Sequence, residues 1–156
     1  MKNVNIESFQ VIGIKVRTTN ENGQAGKDIV ALWNTFMSEG VLNKIPAKLS
    51  TAIYSIYTNY ESDYTKPYDT LLGCKVSSLD NIPEGMVGQS FASGAYANFT
   101  AQGDLSKGIV YAKWVEIWKT DLDRLYIADF EIYDEKTQNP LDAAVSIYVG
   151  VKNEYL

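Results

Sequence analysis

Two periodicities alternate along the chain. Residues 9–19 (FQVIGIKVRTT) set Val11, Gly13, Lys15 and Arg17 against Ile12, Ile14 and Val16, the two-residue alternation of a half-buried strand. After the turn-rich NENGQAG, the run KDIVALWNTFMSEG places Ile29, Leu32, Trp33, Phe36 and Met37 at spacings of three and four. That pattern predicts an amphipathic helix ending at Gly40. TAIYSIYTNY and YDTLLGCKV follow as two strands joined by a loop, ESDYTKP.

The same order then returns. Beyond the connector SLDNIPEGM, QSFASGAYANFTAQG reads as a strand and SKGIVYAKWVEIWKTDL as a helix. ADFEIYDEK and AAVSIYVGVK are then two strands joined by TQNPLD. Setting AIYSIYTNY beside ADFEIYDEK aligns Tyr54 with Phe130, Ser55 with Glu131, Ile56 with Ile132 and Tyr57 with Tyr133. KDIV beside KGIV matches the two helix starts, Lys27 with Lys107. The chain therefore reads as one domain, residues 1–156, built from two strand-helix-strand-strand repeats over about residues 4–78 and 88–152. The predicted fold is α+β: an antiparallel sheet, two main helices and pseudo-two-fold symmetry.

Alternation also divides each strand into two faces. Phe130 and Ile132, like Tyr54 and Ile56, are expected to meet the helices. Ser55, Tyr57, Glu131 and Tyr133 are then left to line a central cleft between the repeats, where ligands preferentially bind.

Composition narrows the chemistry. The 156 residues are 46% hydrophobic and 21% charged, enough apolar material for a core. A net charge of −5 without a basic patch argues against direct nucleic-acid binding. One cysteine, Cys74, permits no intrachain disulfide and points to a reducing, cytoplasmic setting. Neither a signal-peptide core nor an apolar run of membrane-spanning length is present, so no membrane association is expected. The absence of histidine removes Ser-His-Asp and Cys-His catalysis together with histidine metal sites. Cys74, in the strand-like LLGCKV, reads as a small buried hydrophobe rather than a reactive thiol. No calcium-loop spacing or phosphate-cradling glycine loop occurs, so neither metal nor cofactor is expected.

Aromatic content does change the picture: 11 Tyr, 3 Trp and 5 Phe are more rings than a core of this size needs. Glu131 is either a solvated residue on an outer sheet face or a carboxylate set among rings. The second arrangement suits an organic cation through Coulomb attraction and cation–π contact. Ser55, its aligned partner, is neutral, so the carboxylate is an asymmetric addition to a symmetric frame. Tyr57, Tyr133 and Tyr148 are strand tyrosines able to show ring and hydroxyl to a cleft. Trp114 and Trp118, four apart on the second helix, are either core or pocket wall.

The string YAKWVEIWKTDLDRLYIADFEIYDE, with AIYSIYTNYESD and YDTLLGCKV in the first half, resembles the gyrase-inhibitor-like small-molecule-binding superfamily. This is the effector-binding domain at the C-terminus of AraC- and MerR-type bacterial multidrug-responsive activators, which also occurs as stand-alone proteins. The resemblance spans about residues 4–152. It implies the tandem fold derived above and a ligand that is a lipophilic organic cation, held between rings over a strand glutamate matching Glu131. It also places Tyr133 and Tyr148 on pocket-lining strands. Because no helix-turn-helix precedes the domain here, a transcription factor in its own right is not expected. Some members of the superfamily are hydrolases of electrophilic compounds, which here would use Glu131 and Tyr133. Gyrase inhibitors act on a protein partner. Ligand binding for sensing or sequestration is the leading expectation, with hydrolase and protein-interaction module as alternatives.

Overall fold

A computed structural model describes residues 2–152. Eight strands form one antiparallel sheet: β1 (Lys2–Ile6), β2 (Phe9–Thr18), β3 (Ile53–Thr58), β4 (Tyr68–Val76), β5 (Val87–Phe91), β6 (Gly94–Gly103), β7 (Arg124–Tyr133) and β8 (Ala143–Val151). Helix α1 (Gln24–Ser38) and the single-turn α2 (Val41–Lys44) lie between β2 and β3, and α3 (Ile109–Lys119) between β6 and β7. The strand order is β1-β6-β8-β7-β3-β4-β2-β5. It is symmetric about the β3–β7 seam, with β3, β4 and β2 running outward on one side and β7, β8 and β6 on the other. The first and last strands of this order cross over, since β1 pairs with β6 and β5 with β2.

Local sequence accounts for these elements. Tyr68–Val76 draws its strand propensity from Tyr68, Thr70 and Val76 and, with Leu71, Leu72 and Cys74, is buried almost throughout because it is covered on both faces. At its centre Gly73 pairs with Gly13 of β2. A Cβ on Gly13 would collide with the Leu72 carbonyl, and one on Gly73 with that of Ile12, so this close strand approach requires glycine at both positions. Helix α1 starts after Gly23 in the left-handed region, and α3 after Gly108 in the same conformation. The α1 stripe buries Leu32 and Phe36, but Met37, assigned to it by spacing, is 65% exposed at the last turn.

Two further expectations are corrected. The strand expected over QSFASGAYANFTAQG is two strands, β5 and β6, and β1 forms from a largely polar edge segment whose burial is too slight to leave a hydrophobic pattern. More consequential, the helices cover the other face of the sheet. Helix α1 packs on β2 and β4, and α3 on β6. Beneath them lie Ile12, Leu72, Cys74, Tyr57, Val145, Ile147 and Val149, the face that carries Glu131. Phe130, Ile132, Tyr54 and Ile56 point away from both helices into a separate cluster with Phe9, Phe91, Tyr96 and Tyr148. The sheet curves so strongly that rings from distant strands meet there. The Phe130 ring centroid lies 5.4 Å from Phe9 on β2 and 5.3 Å from Tyr96 on β6. Curvature lets that face form its own core without a helix. The helix face is then left with a gap between α1 and α3, directly over the β3–β7 seam.

Candidate functional site

That gap is a cavity of about 890 Å³. Glu131 of β7 stands on its floor, 2% exposed. A buried carboxylate is costly unless donors surround it, and here three do. Tyr57 donates its hydroxyl to Oε2 at 2.7 Å, Trp114 its indole N–H to the same oxygen at 2.6 Å, and Tyr133 its hydroxyl to Oε1 at 2.6 Å. Each donor comes from a different element, α3 supplying Trp114, β3 Tyr57 and β7 Tyr133. Burial raises the Glu131 pKa above its ordinary 4.5, against the opposing pull of the bonds from Tyr133, Tyr57 and Trp114. Burial, followed by the neighbouring Glu131 charge, drives the Tyr57 and Tyr133 hydroxyls well above 10, so both stay protonated donors.

The walls are rings. Trp33 of α1 meets Tyr133 edge-on at 4.9 Å, and Trp114 meets Tyr57 edge-on at 5.6 Å. Trp118 stacks on Tyr64 at 5.3 Å with 8° between planes. Tyr60 and Tyr64 belong to the β3–β4 loop, which is pinned to the start of α1 through Asn20. The Asn20 amide donates to the Tyr64 carbonyl at 2.8 Å and its oxygen accepts from Tyr68 at 2.6 Å.

A second buried carboxylate lies behind the wall. Asp129 Oδ2 accepts from Tyr60 at 2.6 Å and from Arg124 Nη2 at 2.8 Å, while Oδ1 accepts from the Gly150 amide at 2.8 Å. Arg124 reaches the cavity because β7 breaks register with β8 between Arg124 and Asp129, and Tyr126 within that irregularity takes a left-handed φ of 54°. Its guanidinium carbon sits 4.3 Å from the Tyr126 ring centroid and 5.9 Å from that of Trp114. Burial would lower the Arg124 pKa, but Asp129 beside it, then Tyr60 and Tyr126, raise it overall, so the group is charged.

Of the residues expected from sequence, Glu131, Tyr133, Tyr57, Trp114 and Trp118 come together around the cavity. Ser55 lies beneath it, fully buried, donating to the Tyr57 hydroxyl at 3.3 Å. Tyr148 is a correction: pleating turns it to the opposite face, where it stacks on Phe130 at 4.9 Å. Sequence reasoning missed Arg124, Tyr60, Tyr64 and Tyr68 as wall residues, while Trp33, whose helical spacing left core and pocket wall both open, lines the cavity. The tyrosine density of NYESDYTKPY was the one available signal for the loop; nothing local marked Arg124. Among the described residues no group of three or more acidic or cysteine side chains could hold a metal ion, and no helix is long and apolar enough to cross a membrane.

The model of the integron-associated effector-binding protein family (Cass2) matches residues 4–151. The chain belongs to this effector-binding family. Among its relatives is YobU of Bacillus subtilis, a candidate transcriptional regulator, 30% identical over 144 residues and 90% of each chain. An integron cassette protein from the mobile metagenome of Vibrio cholerae superposes with a TM-score of 0.72 at 31% identity, covering 97% of this chain and 95% of that one. SAV2435, solved bound to tetraphenylphosphonium, shares the effector-binding fold at a TM-score of 0.79 and 20% identity, over 97% and 93% of the two chains.

Proposed function

We propose that the protein binds lipophilic aromatic cations in the cavity between α1 and α3, with Glu131 as the anionic floor and the surrounding rings as walls. The observation that carries this reading is the Glu131 carboxylate itself, buried on three donors beneath an aromatic chamber. Its bonds hold it ready as an anion, while desolvation leaves its charge uncompensated until a cation arrives. A volume near 890 Å³ suits a drug-sized guest, within the roughly 300–1,000 Å³ common for such sites. Edge and face contacts from several rings tolerate varied shapes, which favours recognition of a class of cations over one compound. The tetraphenylphosphonium held by SAV2435 is a cation of this kind. We read the matched halves as a duplication in which one copy gained a carboxylate at the position of Ser55. The role is sensing or sequestration in a reducing compartment.

All three tryptophans, Trp33, Trp114 and Trp118, line the cavity, so their fluorescence reports its occupancy. Titration with tetraphenylphosphonium is expected to give a saturable change. Glu131→Gln should weaken it about tenfold or more, about 1.4 kcal/mol per decade. Equal affinity in Glu131→Gln would rule out the charged floor.

A further inference from the structure

A second cavity, of about 440 Å³, lies on the far side of Tyr60. It opens where β3 ends, where β5 turns into β6, and where β7 breaks register with β8. Tyr60 is the wall it shares with the chamber over Glu131. The Tyr60 ring meets Tyr68, a chamber residue, at 5.5 Å and Tyr126, a residue of the second cavity, at 5.6 Å. Its hydroxyl is fixed on Asp129 at 2.6 Å, which holds the partition in place. The two cavities are therefore separate spaces that two molecules can fill at once.

The backbone is strained where this cavity forms. Asn59 and Tyr126 both line it with left-handed φ angles of 52° and 54°. That conformation is disfavoured for any residue with a Cβ, most of all a bulky one, and such strain concentrates at ligand sites. Leu125 and Ile127, on either side of Tyr126, are 41% and 65% exposed, and they extend the apolar lining of Phe91 and Tyr96 out to solvent. No charged side chain lines the cavity; its polar fringe is Thr58, Asn59, Gln89, Ser90 and Ser93. An ion would lose hydration there without an opposite charge to replace it, a cost that a neutral guest escapes. Four rings, Tyr60, Phe91, Tyr96 and Tyr126, supply the flat apolar contact that an aromatic guest needs. The volume lies within the roughly 300–1,000 Å³ common for small-molecule sites. We propose that this cavity is a second binding site, for neutral aromatic small molecules, filled independently of the cation chamber. It does not rest on the cation reading above.

N-Phenyl-1-naphthylamine, a neutral dye that brightens on leaving water for an apolar site, tests the assignment. Titrated into the wild-type protein at saturating tetraphenylphosphonium, it is expected to bind saturably with one equivalent. Ile127→Glu sets a carboxylate at the second cavity, and Val30→Glu sets one at the chamber. Both positions are exposed, so neither variant disturbs the core. Ile127→Glu should weaken dye binding about tenfold, the worth of one apolar side chain's contact. Val30→Glu should change it by less than about twofold. No dye binding at saturating tetraphenylphosphonium overturns the second site, because the dye then uses the chamber alone or nothing. Equal weakening by the two variants, or none by Ile127→Glu, overturns it as well. If tetraphenylphosphonium itself fails to bind, the cation reading falls alone, and the same two variants titrated with the dye in its absence decide the second site.

Discussion

Ser55 and Glu131 stand opposite each other as partners across the β3–β7 seam, and the Tyr57 hydroxyl joins them, accepting from one at 3.3 Å and donating to the other at 2.7 Å. The two central strands of the sheet thus set one neutral and one acidic side chain side by side. Ser55→Ala should leave cation affinity within about twofold of wild type, because the 3.3 Å bond is long and Tyr57 keeps its bond to Glu131. A tenfold loss on titration with tetraphenylphosphonium would show that Ser55 shapes the floor.

Glu131→Gln is expected to fold. Its amide oxygen can face Tyr57 and Trp114, and its NH2 can donate to the Tyr133 oxygen, so each group keeps a partner. Thermal denaturation near neutral pH should show a Tm no lower than wild type, because a desolvated charge has been removed. Trp114→Phe instead leaves the carboxylate one donor short. It should cost on the order of 1–3 kcal/mol in chemical denaturation and raise the Glu131 pKa further.

The raised Glu131 pKa fixes the sign of two pH effects. Between 4.5 and the raised folded pKa an unfolded Glu131 is ionised while the folded one holds its proton, so the folded state binds more protons there and this residue's contribution to stability falls as pH rises across that window. Affinity for a permanent cation runs the other way, rising as the carboxylate ionises. Wild-type titrations at a series of pH values should show a midpoint above 4.5, and Glu131→Gln a flat profile.

Arg124 and Asp129 form a buried pair at 2.8 Å, with side-chain exposures of 5% and 0%. Arg124→Met alone strands Asp129 and should cost roughly 3–5 kcal/mol. Adding Asp129→Asn should recover much of that loss, since Asn retains an acceptor for the Gly150 amide. Denaturant midpoints of the two single variants and the double variant measure the coupling directly.

Much of this was legible in sequence for definite reasons. Strand β4 was delimited at both ends, because Pro67 precedes it and the polar connector SLDNIPEGM follows it. That Ser55, Tyr57 and Glu131 share one face of the sheet was also visible, since strand alternation groups them. What alternation could not reveal is which face the helices cover: it separates Phe130 from Glu131 without ranking them. Aromatic residues dense enough to build a core under a curved sheet took the face expected for the helices, and Tyr148 went with them. Arg124 was hidden because a register break and the left-handed Tyr126, rather than any periodicity, direct it to the cavity.

The location of the cation's central atom tests the account most directly. Tetraphenylarsonium carries arsenic, whose anomalous scattering marks that position in a crystal of the complex. The account predicts one strong peak between α1 and α3, over the Glu131 carboxylate and ringed by Trp33, Trp114 and Tyr133. A peak elsewhere on the molecule, or an empty cavity at saturating ligand, would contradict it.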